Sequence, residues 1–220
     1  AGMAALISCC NLPGVAPPRS MSRGVSTAPI AIAVPGKKRS SLSLDMATSV
    51  VARGKVEVAV DRGEPVPLEW GLNEEGRPTT ESREVVMMQS AGNYKGYGLA
   101  VMFECLASLM SGSPLLTPTI RQTETLSRGH QNSWMCVVDI SKFTDLESFR
   151  LNADALGDTM NGLPTVDGNG SIMVPGEKET RTLREREKTG IPLPPGTVDK
   201  LKWAADRCSV PLPSEKYPSA

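Results

Sequence analysis

The sequence predicts a mixed α/β chain, α/β or α+β in class, and three observations lead there. Ile30–Val34, Ser41–Leu44 and Ser133–Ile140 carry alternating or continuous apolar runs of strand length. Between and after them, Leu146, Phe149, Ala153, Leu156 and Met160 recur every three or four residues, which is helical spacing. The 220 residues are 40% hydrophobic and 22% charged, an ordinary globular composition sufficient for one large domain or two small ones.

In chain order, Ile30–Val34 alternates medium and small apolar residues and ends at the Pro35-Gly36 turn. Ser41–Leu44 places Leu42 and Leu44 on one strand face. Met46–Val60 reads as a helix with Asp45 as its N-cap. Arg62–Thr80, rich in Gly, Pro and Glu, is a connector leaving through Arg77-Pro78-Thr79-Thr80. A second apolar helix follows the glycine-rich loop after residue 90 and stops at Ser111-Gly112-Ser113-Pro114. Leu115–His130 is polar and irregular. Ser133–Ile140 reads as a strand buried on both faces except at Asp139, and Thr144–Leu163 as an amphipathic helix. Asp167–Gly170 is a turn, Ile172–Val174 a short strand, Thr180–Lys188 a charged helix, and Thr197 caps a last helix. There is no internal repeat and no low-complexity segment.

Charge and cysteine usage exclude several classes. Twenty-four basic residues balance 24 acidic ones, and the only basic run, Lys37-Lys38-Arg39, reads as a solvated loop, so no nucleic-acid surface is expected. No apolar stretch reaches the roughly 20 residues of a membrane span. Ala1–Ala16 lacks a basic start and contains Asn11 and Pro13, unlike a secretory leader. Five cysteines without CxxC spacing suit a reducing cytosol, with Cys105 and Cys136 read as buried thiols. The adjacent Cys9 and Cys10 lack spaced partners and the chain has one histidine, His130, so no metal is expected. Neither GxGxxG after a strand nor a Walker-type GxxxxGK[ST] occurs, which removes a Rossmann or P-loop reading.

The segment with most chemical content is Gly92-Asn-Tyr-Lys-Gly-Tyr-Gly-Leu99. Gly92, Gly96 and Gly98 let a ligand approach the backbone, the helix that follows offers free N–H groups, and Lys95 adds a cation. That combination suits a phosphate-bearing cofactor; a glycine-rich turn before a core helix is the competing reading. An ordinary N-cap is likewise the competing reading for Asp45.

Asp45-Met-Ala-Thr-Ser-Val-Val-Ala-Arg-Gly-Lys55, Tyr94-Lys-Gly-Tyr-Gly-Leu99, Val174-Pro-Gly-Glu177, and Arg184 with Gly190-Ile-Pro-Leu193 occur in this order. Together they resemble the type 2 malate/L-lactate dehydrogenase family, which includes sulfolactate, ureidoglycolate and piperideine-2-carboxylate enzymes, from Ala1 to about Pro213. The resemblance implies a non-Rossmann NAD(P)-binding α/β fold, a homodimer in the cytoplasm, and a small 2-hydroxy or 2-oxo acid as substrate. It implies NAD or NADP contacts at Asp45, Met46, Ala47 and Lys95, and near Asn11, with Gln131-Asn132 lining the same cleft.

The resemblance further implies that the chain is the C-terminal two-thirds of such an enzyme, with about 100 more residues upstream. Residues 1–130 would be an N-terminally incomplete cofactor-binding domain, and 131–220 a strand and helix segment returning to the same fold. The family's proton-transferring histidine, in an Asn-Ser-Asn-His stretch, and its Ser-His-Gly and arginine segment are not in these 220 residues, so no catalytic residue is assigned. Ser26-Thr-Ala-Pro29 stands where the family has Gly-Thr-Asn-Pro, Asn93 where it has glycine, and Cys9-Cys10-Asn11 where it has a Thr-Asn-Ser-like run. A catalytically inactive family member, serving as a nucleotide-binding or dimerisation module, is the alternative.

Overall fold

Met3–Cys10 forms β1, the strand around which the larger sheet is built. In a computed structural model, which describes residues 2–39, 41–113, 115, 131–166, 168 and 170–212, β1 pairs antiparallel with both its neighbours. On one side lies β3 (Ile30–Pro35), itself paired with β4 (Ser41–Met46); on the other lies β7 (Asn132–Asp139). Directly opposed residues share a face, so Ala5, Ala33, Ser43 and Val137 lie on one side and Leu6, Ile32, Leu44 and Cys136 on the other. A smaller sheet has β6 (Met87–Gln89) parallel to β2 (Val15–Ala16) and antiparallel to β5 (Gly71–Leu72).

The first compact unit, Ala1–Glu177, holds these sheets and the main core. Val15, Val25, Val56, Val66, Met88, Ala100 and Phe103 pack together there, with Trp70, Tyr97 and Trp134 against them. Fully burying a valine such as Val56 contributes about 1.5–3 kcal/mol. The buried thiol is Cys10, whereas Cys105 and Cys136 are only half-buried, contrary to the sequence expectation. The strand expected to be buried on both faces is not: Met135 and Val137 of β7 are 62% and 54% exposed. A continuous apolar run has no periodicity to reveal which face is covered.

Two helices depart from expectation. The helix read from Met46 begins only at Arg53, and α1 (Arg53–Arg62) has Ala52, not Asp45, at its N-cap. Asp45 and Met46 extend β4 opposite Ala31 and Ile30. The backbone N–H and hydroxyl of Thr48 both donate to Thr27 O (2.8 and 2.7 Å), and Ser49 Oγ donates to Val51 O. These local bonds, a known alternative to helix for Ser and Thr, hold 47–51 out of helical geometry. The second apolar helix, α2 (Tyr94–Glu104), starts earlier than its glycines suggested and continues as a π-helical turn over Cys105–Leu109.

Further on, Asp145 caps α3 (Leu146–Asn161) by accepting from Ser148 N at 2.8 Å. Ile172–Val174 forms no strand; Asn161 Nδ2 instead donates to Ile172 O at 2.6 Å. The Lys37–Arg39 run is not simply solvated. The Asp154 carboxylate on α3 accepts from the backbone N–H of Lys38 (2.6 Å), Lys37 (3.2 Å) and Arg39 (3.3 Å). Arg39 donates to Asp158 and Asn161, and Lys37 pairs with Glu147.

The Lys38 N–H first, then those of Arg39 and Lys37, hold the Asp154 carboxyl below its ordinary range. A depressed folded value means that this stabilisation is complete above the ordinary aspartate range and is lost as pH falls through the folded value. Asp154→Asn is therefore expected to shift the urea midpoint at neutral pH and to flatten its acid limb. An acid limb as steep as that of the unaltered chain would contradict this anchoring.

The second compact unit is Lys178–Ala220, and its described residues are mostly helical. α4 (Glu177–Thr189) leads into it, and α5 (Pro195–Cys208) begins with proline in its first turn rather than at a Thr197 cap. Proline is preset for that position because its missing N–H has no intrahelical partner there. No helix among the described residues is long and apolar enough to cross a membrane.

Candidate functional site

Three of the motifs meet around the end of β4 and the start of α2. After Asp45-Met46-Ala47, the carbonyl of Thr48 accepts from Ala91 N at 2.9 Å, and Val50 N donates to Gln89 O at 2.9 Å. The turn that precedes Lys95 is thereby stitched to the segment that follows Asp45. Gly96 makes this possible: a Cβ there would lie 2.1 Å from Thr48 O and 2.7 Å from Ala91 N and O. Only a glycine permits that approach. On the flank of β4, Ser43 N donates to Pro175 O at 3.1 Å, which docks the Val174–Glu177 motif two residues before Asp45. Gly176, at φ 87°, faces Ser43 so closely that a Cβ would lie 3.1 Å from Ser43 O.

Lys95 sits in the first turn of α2, exposed, and its ammonium has no partner among the described residues. Its stem lies over Gly92, where a Cβ would meet Lys95 Cδ at 3.4 Å. Gly92 and Asn93 both have positive φ, 56° and 59°; Asn93, with ψ −111°, lies outside the left-handed helical region. Asp45 is exposed at the end of β4 and Asn11 just beyond β1, while Met46 is exposed and Ala47 half-buried.

Burial first, and the Asp45 charge in addition, push the Cys9 thiol up, against a lowering hydrogen bond from Gln131. Cys9 thus links Asp45 with the Gln131-Asn132 stretch. Asn132 pairs with Cys10 in the sheet, and its Nδ2 donates to Ser108 Oγ, which donates to Glu104. Burial pushes the Cys10 thiol up to about 12, and the Glu104 carboxylate reinforces the shift. His130 lies outside the described residues. No group of three or more His, Cys, Asp or Glu placed to hold a metal occurs among the described residues.

A cavity of about 470 Å³ lies beside the start of α2. Gly92 and Asn93 line it together with Ala16–Met21, Val50, Glu69, Leu72, Gly76, Pro78, Gln89 and Ser90. It opens where the parallel strands β2 and β6 end, so both of its main loops leave from strand carboxyl ends, the usual ligand side of parallel strands. Neither Asp45 nor Lys95 is among its lining residues; Lys95 reaches its rim through Gly92. Sequence reading missed the Pro17-Pro18-Arg19 loop. The adjacent prolines marked a rigid turn, but nothing local tied it to residues 70 positions away.

The N–H groups expected to be free at this helix start are not: Lys95 N donates to Gly92 O at 3.3 Å and Gly96 N to Ala91 O at 2.8 Å, and the glycine approach at Gly96 is taken by Thr48 and Ala91. What a phosphate-bearing molecule can use is the Lys95 cation and the adjoining cavity.

Comparison with known proteins agrees in extent with the whole of this framework. The family model described as malate/L-lactate dehydrogenase matches residues 1–202. The malate/(S)-sulfolactate dehydrogenase of Methanothermus fervidus is 31% identical over 206 residues, covering 91% of this chain and 58% of that protein. The malate dehydrogenase of Pyrococcus abyssi is 33% identical over 224 residues, covering 95% and 60%. Among solved structures, malate dehydrogenase from Pyrococcus horikoshii superposes with a TM-score of 0.78 at 29% identity, covering 96% of this chain and 59% of that one. The Entamoeba histolytica malate dehydrogenase, at 24% identity and a TM-score of 0.84, shares the fold. The chain thus spans about three-fifths of the length of the relatives it matches. With the family model matched over nearly all of its described residues, the chain belongs to the malate/L-lactate dehydrogenase family.

Proposed function

We propose that this chain forms the cofactor-holding part of an NAD(P)-dependent oxidoreductase that interconverts a small 2-hydroxy acid, of the malate or lactate kind, and its 2-oxo acid. The observation that carries the reading is the joint between two family motifs. The Thr48–Ala91 hydrogen bond and the Gly96 contact set Asp45–Ala47 and Lys95 on adjoining segments. Lys95, unpartnered among the described residues, supplies a mobile point charge for phosphate or ribose oxygens. Asp45, Met46 and Ala47 at the end of β4, and Asn11 beyond β1, offer polar and apolar contacts to the same molecule.

A nicotinamide dinucleotide, when bound, supplies the hydride chemistry; the protein's part is binding and orientation. Proton transfer to or from the hydroxyl requires a positioned acid or base, and no described residue of this chain is assigned that role. A second copy of the chain is the proposed partner, with Leu99 and Met102 of α2, Leu109 of the π-helical turn and Met110 just after it among the exposed apolar residues.

The test is direct: titrate the 220-residue chain into NADH and into NADPH and follow nicotinamide fluorescence, then assay oxidation of malate and lactate with NAD+ or NADP+ as hydride acceptor. Binding with turnover supports the enzyme reading. Binding without turnover supports the module reading in its place, and no binding to either nucleotide removes both.

A further inference from the structure

Two charged residues of opposite sign line the cavity beside α2 and make no ion pair among the described residues. Arg19 is on the loop after β2, and Glu69 is on the connector before β5. Neither belongs to a motif that the dehydrogenase resemblance singled out. Arg19 holds φ at 68°, a conformation that an L side chain rarely adopts, between Pro18 and Ser20. The rest of the lining is neutral: Met21, Val50, Leu72 and Pro78 are apolar, while Ser20, Gln89, Ser90 and Asn93 supply amide and hydroxyl groups. At about 470 Å³ the cavity has room for a nucleoside-sized group, and its rim at Gly92 carries the stem of Lys95.

We propose that Arg19 and Glu69 together set the preference between the 2′-phosphorylated and the unphosphorylated dinucleotide, with the adenosine ribose seated in this cavity. The inference rests on the dinucleotide reading above. The chemistry of the pair is divided by charge. A guanidinium binds a phosphomonoester dianion through paired N–H donors, so Arg19 favours the phosphorylated ribose. A carboxylate accepts from ribose hydroxyls and repels a phosphate in the same place, so Glu69 favours the unphosphorylated one. The two side chains act in opposite directions on one ratio, which a general loss of structure cannot imitate.

The experiment uses the full 220-residue chain and equilibrium binding, without turnover. NADPH and NADH are titrated by fluorescence, and 2′,5′-ADP and 5′-AMP by calorimetry. Arg19→Gly suits the test because glycine adopts φ 68° freely, so the substitution removes the guanidinium without straining the loop. It is expected to lower the NADPH-to-NADH affinity ratio about tenfold, the scale of one charge-assisted contact, and Arg19→Lys to restore part of it. Glu69→Gln is expected to raise the same ratio by a similar factor. The 2′,5′-ADP to 5′-AMP ratio should follow both changes. If both dinucleotides bind and neither substitution moves the ratio, or both move it the same way, this inference is overturned and the dinucleotide reading stands. If the unaltered chain binds neither, the two fall together.

Discussion

Gly96→Ala is expected to destabilise the first unit by about 3 kcal/mol and to abolish dinucleotide binding at the same time. The added methyl would lie 2.1 Å from Thr48 O and 2.7 Å from both Ala91 N and Ala91 O, all backbone atoms that no rotamer change can move. Relief requires α2 to withdraw from the segment 48–50, which breaks the Ala91–Thr48 bond and the Ser49–Ser90 bridge. Urea unfolding followed by tryptophan fluorescence measures the loss. Gly98→Ala on the same helix is the matched control. Its Cβ would meet nothing within 4 Å, so the helix gains about 0.5–1 kcal/mol from reduced backbone freedom. Equal midpoints for Gly96→Ala and Gly98→Ala would show that the close approach of α2 to Thr48 does not exist in solution.

Lys95→Met is expected to separate binding from stability. Methionine keeps a flexible apolar stem over Gly92 and removes only the ammonium, which has no partner among the described residues. The urea midpoint should stay within about 0.5 kcal/mol of the unaltered chain, as for a surface change away from the core. NADH affinity should fall at least about tenfold, because a charge-assisted contact to a phosphate or ribose oxygen is lost. Fluorescence titration decides it. Unchanged affinity would return Lys95 to the ordinary solvated lysine of a glycine-rich turn, and with it the strongest argument for a cofactor at this helix start.

These two substitutions also mark the difference between what could be read along the chain and what could not. The glycines near Lys95 are legible as a place of close approach, with a ligand and a turn before a core helix as competing readings. In the fold, Gly96 is buried against Thr48 and Ala91, Gly98 has open space, and Gly92 lines the cavity beside α2. Glycine reports that something comes near the backbone, and another loop of the same chain satisfies that as well as a nucleotide does. Asp45 reads as a helix cap because it stands between the Ser41–Leu44 strand and the Met46–Val60 run that reads as a helix despite its β-branched residues. The Thr27 carbonyl, 21 positions earlier, captured both donors of Thr48 instead. Lys37–Arg39 looked solvated because its acceptor, Asp154, lies more than a hundred positions away.

What the sequence determined by itself was local and ordered. The strand periodicity of Ile30–Val34 and Ser41–Leu44, the spacing of Leu146–Met160, the absence of Rossmann and P-loop motifs, and four family motifs in series established a mixed α/β chain of the malate/L-lactate dehydrogenase kind. Only the tertiary structure decided which face of β7 is bare, where α1 begins, and that Arg19 and Glu69 line one cavity. The physical reason is common to all three. Propensity and patterning act over a turn or two, whereas a hydrogen-bond acceptor, a covering layer or an opposing charge comes from chain that only folding brings near.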